Sequence, residues 1–151
     1  MATLVVPMAG RSSRYPDLRP KWMLSHPMSN TFMGIAAIQG LNLDFFDKIY
    51  WVTLKEYQEK YQFEQGYLEE LDQVGLKEKS EIVLLDKETS SQSETVCELI
   101  KKKNIKDFIF IKDSDGYYEC ELKDGSNQVA YFDLNDMDNI NARSKSYVEL
   151  D

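Results

Sequence analysis

Short apolar runs alternate with longer amphipathic segments over the first 115 residues of the chain. The four runs lie at residues 4–6, 48–53, 82–85 and 108–111. Each is short and bounded by polar or turn-forming residues, which is typical of strands rather than helices. The run at 4–6 contains no polar position, which predicts a strand buried on both faces.

The segments between these runs have the spacing of helices. Residues 33–41 are mostly apolar, and tyrosines and leucines recur at helical intervals over 56–71, where Gly75 is expected to end the helix. Ser91, followed by Glu94 three residues later, fits a capping box at the start of a third helix. Because helices separate the strands, the connections are expected to be right-handed crossovers within a parallel sheet.

The pattern changes after Gly116. Residues 117–122 and 128–134 flank a turn that contains Asp124-Gly125, as in an antiparallel hairpin, and a last strand is expected at 146–150. The sequence therefore predicts a single α/β domain over residues 1–151, with a mostly parallel sheet and an added antiparallel part.

Composition narrows the class of protein. The chain has 151 residues, 42% of them hydrophobic, and a net charge of −8, which argues against binding to nucleic acid or to an anionic membrane. No apolar stretch reaches the roughly 18 residues of a membrane span, and the N-terminus lacks the basic start of a secretory signal. Cys97 and Cys120 have no metal-ligand spacing, so we expect two reduced thiols in a cytoplasmic protein. Homo-oligomerisation is left open.

The charge is unevenly distributed. The first 30 residues contain Arg11, Arg14, Arg19 and Lys21 against Asp17 alone, and all four prolines. This basic segment follows the first predicted strand, and ligands bind at the carboxyl ends of strands in open α/β sheets. The sequence therefore predicts that the segment meets a localised anion.

The chemistry of this loop suits a phosphate. Arg14 offers a planar fork for two phosphate oxygens, and Lys21 offers a compact charge. Small residues allow backbone N–H groups to approach an anion, and they are Ala9, Gly10, Ser12 and Ser13. The loop is neither a Walker sequence nor a dinucleotide fingerprint. The alternative is a solvated surface turn.

A second motif, Asp113-Ser114-Asp115-Gly116, follows the fourth predicted strand. Two carboxylates at a strand end can face Mg²⁺, which takes one or two carboxylates and completes its shell with water and phosphate oxygens. The alternative is an ordinary turn of common composition. The basic loop at the same edge of the sheet favours the magnesium site.

These motifs resemble those of the sugar-phosphate nucleotidylyltransferases, in particular the branch associated with capsular polysaccharides. The opening signature G-x-G-[ST]-R, followed by P-K, is matched by Gly10, Ser13, Arg14, Pro20 and Lys21. Ser12 stands where a second glycine is usual. Residues 89–95 resemble the segment that reads the base, and residues 110–117 resemble the strand-end metal motif, with Asp115 as its metal aspartate and Asp113 assisting.

The resemblance implies a Rossmann-like, three-layer α/β/α nucleotide-diphospho-sugar transferase fold. It also implies a Mg²⁺-dependent transfer of NMP from a nucleoside triphosphate to a sugar phosphate or similar acceptor, with release of pyrophosphate, in surface-polysaccharide precursor synthesis. Arg14 would contact the triphosphate, Lys21 the α-phosphate or acceptor phosphate, and Asp115 with Asp113 the metal. The nucleotide would be bound by Met8, Ala9, Gly10, Arg11, Ser12, Ser13, Ser91 and Gln92.

Members of this family are generally longer, and their later part supplies a second metal carboxylate and much of the acceptor pocket. The chain is therefore expected to be truncated relative to the family. Asp133, Asp136 and Asp138 could replace the missing ligand or form a solvated acidic loop. The rival functions are a non-catalytic nucleotide-binding module, a glycosyltransferase that uses a nucleotide-sugar donor, and a plain interaction domain.

Overall fold

The computed structural model describes residues 2–11, 15–122, 127–131, 133 and 136. Within them, four strands form an all-parallel sheet in the order β3-β2-β1-β4. The strands are β1 (Ala2–Pro7), β2 (Lys48–Leu54), β3 (Ser80–Leu85) and β4 (Phe108–Ile111). The predicted α/β class and parallel sheet are confirmed. Every residue of β1 is buried, because β2 and β4 pair with it on both sides and helices pack on the sheet.

Four α-helices and three short 3₁₀ turns connect the strands in the described residues. The helices are α1 (Met33–Ile38), α2 (Lys55–Tyr61), α3 (Glu64–Gln73) and α4 (Gln92–Lys103). The 3₁₀ turns are Lys21–Met23, Leu43–Phe45 and Lys77–Lys79. Among the helices described, none is both long and apolar enough to cross a lipid bilayer.

An aromatic cluster centred on Tyr67 of α3 forms much of the core. The Tyr67 ring is fully buried and lies 5.3 Å from the ring of Trp51 on β2 and 5.7 Å from that of Trp22. Phe32 and Phe63 complete the cluster, at 5.0 and 6.2 Å from Tyr67. Since aromatic pairs of this kind contribute about 0.5–1.5 kcal/mol beyond their burial, the cluster holds the 3₁₀ turn Lys21–Met23 firmly against α3 and the sheet.

The helix expected over 56–71 is divided in two. Gln62 adopts the left-handed conformation (φ 49°) and ends α2, and α3 begins at Glu64. The break turns Phe63 into the core against Trp22, so tertiary packing outweighs the continuous helical pattern. Gly75 ends α3 as expected, with φ at +73°.

The expected antiparallel hairpin does not form in the described residues. Residues 117–122 and 127–131 contain no strand, and Cys120 makes an isolated parallel bridge to Leu41. A Cβ at Gly40 would overlap the Tyr118 carbonyl oxygen, so this segment packs directly on the turn after α1. That contact takes the place of strand pairing. The turn at Asp124 and the last expected strand lie outside the described residues.

Helix α4 begins at the predicted N-cap. Ser91 Oγ accepts a hydrogen bond from the Glu94 N–H at 3.2 Å. In a capping box the Glu94 carboxylate would return to the Ser91 N–H, but here it accepts from the Ser90 N–H and hydroxyl, both at 2.6 Å. The extended backbone of Ser91 therefore starts the helix, and Glu94 secures the residue before it.

Replacing the N-cap should destabilise the protein. We expect Ser91→Ala to lower the free energy of unfolding by about 1 kcal/mol, because an N–H of the first turn loses its acceptor. Ser93→Ala, inside the same helix and exposed, is the matched control and should not destabilise. Urea denaturation measures both variants, and equal stabilities would contradict the capping role of Ser91.

Candidate functional site

A cleft of about 650 Å³ lies at the carboxyl ends of the strands. Three segments form it: residues 7–11 at the end of β1 and after it, 88–92 up to the start of α4, and 113–115 after β4, with Lys21 and Trp22 at one side. The strand order reverses between β1 and β4, and open α/β sheets bind their ligands at such a reversal. The cleft is therefore the candidate site.

Hydrogen bonds to its backbone groups hold the loop after β1 in place. The Met8 N–H donates to the Val52 carbonyl at 2.7 Å, and the Thr53 hydroxyl donates to the Met8 carbonyl at 3.1 Å. The Tyr57 hydroxyl donates to the Gly10 carbonyl at 3.2 Å. Burial raises the pKa of Tyr57, so this donor keeps its proton at neutral pH.

Gly10 is exposed to the cleft, and its backbone does not require a glycine. A Cβ built on it would meet no heavy atom of the described residues within 4 Å beyond its chain neighbours, and its φ lies outside the left-handed region. Glycine is used where a ligand approaches the backbone closely, and that explanation fits this position.

Lys21 and Asp115 meet across the cleft. The distance from Lys21 Nζ to Asp115 Oδ2 is 2.9 Å, and the two side chains are 46% and 41% exposed. Lys21 is placed there by Trp22 and Met23, the two buried residues that follow it in the 3₁₀ turn. The structure thus brings together one residue from the basic segment and one from the acidic turn.

Asp113 has a different partner. Its Oδ1 accepts a hydrogen bond from Lys112, whose side chain is fully buried. The Lys112 ammonium also donates to the carbonyl oxygens of Asp113, at 3.1 Å, and of Gly116, and lies 4.3 Å from the centre of the Tyr118 ring. Burial, with the Asp113 charge, raises the pKa of Tyr118 to about 12.

Arg11 lies at the rim and is already engaged. Its Nη2 is 3.3 Å from Glu56 Oε2 on α2, and its Nε is 2.6 Å from Glu88 Oε1 in the loop before α4. The guanidinium therefore joins the loop after β1 to two neighbouring segments.

Ser91 and Gln92 line the cleft at the start of α4, together with Thr89 and Thr95. The hydroxyl oxygens of Thr89 and Thr95 are 2.6 Å apart, which folds the loop back on the first turn of the helix. The side-chain and backbone hydrogen bonds from Ser90 hold the pKa of Glu94 below its ordinary value. The N–H groups of this first turn give the end of the cleft a partial positive charge.

The acidic turn has the donor chemistry for a hard cation. Asp113 and Asp115 both line the cleft and offer carboxylate oxygens, the ligands that Mg²⁺ prefers. No group of three or more His, Cys, Asp or Glu that could hold a metal occurs among the described residues. These two residues therefore fit Mg²⁺ only if water or phosphate oxygens complete its shell.

The other predicted residues are placed as follows. Met8 and Ala9 are buried at the floor of the cleft. Asp133 and Asp136 are exposed and are not part of the cleft lining. Ser12, Ser13, Arg14 and Asp138 lie outside the described residues.

Sequence reasoning missed the residues that support the site. Thr53 and Tyr57 hold the loop after β1, and Glu88 holds Arg11, but their partners are distant in sequence. Lys112 directly precedes Asp113 in the sequence, and this position could have indicated a contact with the acidic turn. Its burial was not predictable, because lysines are almost never fully buried.

No protein-family model matches the chain, and a search of curated proteins finds no match either.

The hydrogen bonds to Glu94 should make the start of α4 sensitive to acid. Because the pKa of Glu94 is lowered on folding, its contribution to stability is present above the unfolded value, about 4.3, and is lost as the pH falls through the folded value. Ser90→Ala removes the side-chain hydrogen bond, which lowers the pKa of Glu94 the most, and should therefore raise this pKa in an NMR titration. Ser93→Ala should leave it unchanged. An unaltered pKa in Ser90→Ala would contradict this assignment.

Proposed function

We propose that the protein is a Mg²⁺-dependent nucleotidyltransferase that transfers NMP from a nucleoside triphosphate to a phosphorylated small-molecule acceptor. The observation that carries the proposal is the contact between Lys21 and Asp115, at 2.9 Å, inside the cleft. A cation from the first loop and a carboxylate from the acidic turn stand side by side there. A metal–polyphosphate complex requires this combination, an ammonium for its anion and a carboxylate for its cation.

The exposure of this pair makes it exchangeable. An ion pair as exposed as this one contributes about 0–1 kcal/mol, so a phosphate can replace Asp115 as the partner of Lys21 at small cost. Asp115 then becomes available to a cation. The pair keeps the ammonium and the carboxylate in place until a complex of a metal cation and a polyphosphate anion enters the cleft.

Size and topology support the proposal. A volume of about 650 Å³ falls within the range of small-molecule sites, about 300–1,000 Å³. The order β3-β2-β1-β4 corresponds to the first four strands of the common dinucleotide-binding order 3-2-1-4-5-6. With right-handed crossovers, α4 would lie on the sheet face opposite α1 to α3. We propose that these three layers belong to a Rossmann-like nucleotide-diphospho-sugar transferase fold.

The reaction needs no general base. A phosphate monoester is mostly dianionic at neutral pH, since its second pKa is about 6. Its oxygen would form the bond to the α-phosphorus, and the bond from the α-phosphorus to the bridging oxygen would break, releasing pyrophosphate. Lys21 would neutralise charge on the reacting phosphates, while the N–H groups of residues 9–11 and the side chains of Ser91 and Gln92 would hold the nucleotide. When bound, Mg²⁺ supplies further charge neutralisation. The role of Arg14 rests on sequence alone.

A second function uses the same acidic turn. The Asp113-Ser114-Asp115 spacing at the cleft would also suit a glycosyltransferase that binds a metal and a nucleotide sugar. The cation at Lys21 favours the triphosphate, which carries more negative charge. Turnover separates the two reactions, because only nucleotidyl transfer releases pyrophosphate.

The decisive experiment measures pyrophosphate. The protein is incubated with Mg²⁺, each of the four NTPs, and a panel of sugar phosphates and choline phosphate. We expect release with one NTP and one acceptor. Thermal stabilisation by an NTP without release of pyrophosphate would support a binding module. If the protein shows no stabilisation by any NTP and releases no pyrophosphate, the proposal is contradicted.

Lys21→Ala should weaken triphosphate binding about 10- to 100-fold, because a charged hydrogen bond to phosphate contributes about 1.5–3 kcal/mol. Stability should change little, since the lost ion pair is exposed. Lys101→Ala, at the far end of α4, removes another surface ammonium from a carboxylate pair and is the matched control. Isothermal titration calorimetry measures both variants, and equal affinities would remove Lys21 from the site.

Gly10→Ala should separate binding from folding. Since a Cβ at this position would meet none of the described residues beyond its chain neighbours, the free energy of unfolding should stay within about 0.5 kcal/mol of wild type. The methyl group would hold a phosphate away from the backbone, so NTP affinity should fall about tenfold. Unchanged affinity would show that no ligand approaches the backbone there.

A further inference from the structure

A buried lysine, Lys112, directly follows β4. Its side chain is fully buried, whereas lysines are almost never buried without compensating partners. The compensation is complete here. An ammonium has three N–H donors, and three oxygens surround this one: Asp113 Oδ1, the Asp113 carbonyl and the Gly116 carbonyl. The Tyr118 ring covers it at 4.3 Å.

These contacts make Lys112 an internal cation rather than a substrate-binding one. All three donors are directed at the chain itself, so forming a contact to a phosphate would require breaking one of them. They also close the acidic turn, because the ammonium joins the first residue of Asp113-Ser114-Asp115-Gly116 to the last.

The glycine of the turn completes this arrangement. A Cβ at Gly116 would lie 2.7 Å from Asp113 Oδ2, so the carboxylate of Asp113 rests directly over the glycine. Asp113 is thus held by a buried lysine and a close backbone contact. The two carboxylates are similarly exposed, 45% for Asp113 and 41% for Asp115, but they differ in their partners, because Asp115 is paired with the exposed Lys21.

We propose that Lys112 is a positioning residue. It holds Asp113 as the anchor of the turn, so that Asp115 alone is presented to a cation in the cleft. The proposal rests on the proposed function and divides the roles of the two aspartates: Asp113 fixes the geometry, and Asp115 binds the metal.

The test uses Mn²⁺ as a paramagnetic probe and four variants of the full chain. Broadening of the amide signals of residues 113–116 during a Mn²⁺ titration gives the affinity, and heteronuclear NOE values without Mn²⁺ give the order of the same amides. The variants are Lys112→Met, Asp113→Asn, Asp115→Asn and the control Lys79→Met. Lys79 also donates to a backbone carbonyl, that of Leu43, but away from the cleft.

Asp113→Asn and Asp115→Asn should differ. In Asp113→Asn the side-chain amide oxygen would still accept from Lys112 and only one nearby negative charge is lost, so Mn²⁺ affinity should fall no more than about threefold, whereas Asp115→Asn should lower it at least about tenfold. Equal losses in the two variants would overturn the proposal, because Asp113 would then be a metal ligand. This comparison holds even if Lys112→Met does not fold.

The sign of the Lys112→Met effect decides between positioning and charge. Loss of a nearby positive charge alone would raise Mn²⁺ affinity. Loss of positioning should lower it about tenfold or more, the usual effect of removing a group that orients a ligand, together with lower NOE values at Ser114 and Asp115. Raised affinity or unchanged NOE values would overturn the proposal. Lys79→Met should change neither quantity.

Failure of the proposed function can be distinguished from failure of the positioning role of Lys112. If wild type binds neither Mn²⁺ nor any NTP, the proposed function fails together with the metal-binding role of Asp115. The NOE values of Lys112→Met still decide whether the buried ammonium orders the turn.

Discussion

Parallel pairing on both sides of β1 is the constraint on which the rest of the structure depends. Because β1 pairs with β2 and β4 in the same direction, the loops that follow the three strands all emerge at one edge of the sheet. The basic loop and the acidic turn meet at the cleft as a consequence, although Lys21 and Asp115 are 94 positions apart in sequence.

Aromatic packing and hydrogen bonds support the charged groups in this cleft. The aromatic cluster around Tyr67 holds Trp22 and therefore the start of the turn that carries Lys21. Hydrogen bonds from the buried Lys112 hold the turn that carries Asp115. Rigid supports beneath exposed charges would let the charges exchange partners without reorganising the fold, as the proposed binding of a metal with a polyphosphate requires.

The fold was predictable where local pattern and tertiary demand agree. Strands at the four apolar runs, the N-cap at Ser91 and the end of α3 at Gly75 follow from residue type and spacing. The break at Gln62 was not predictable, because it depends on what Phe63 gains in the core. The hairpin prediction was wrong in the described residues, since a contact with Gly40 replaces the pairing.

The sequence by itself determined a parallel α/β protein with a basic loop and an acidic turn at strand ends, because strand pattern and charge distribution are local properties. It also named Lys21 and Asp115, but gave no distance between them. Only the tertiary structure decided which cation faces which carboxylate: Lys21 faces Asp115, and Lys112 turns inward to Asp113. Such pairings depend on burial and on contacts between segments far apart in the chain. Local residue types and spacings do not specify these contacts.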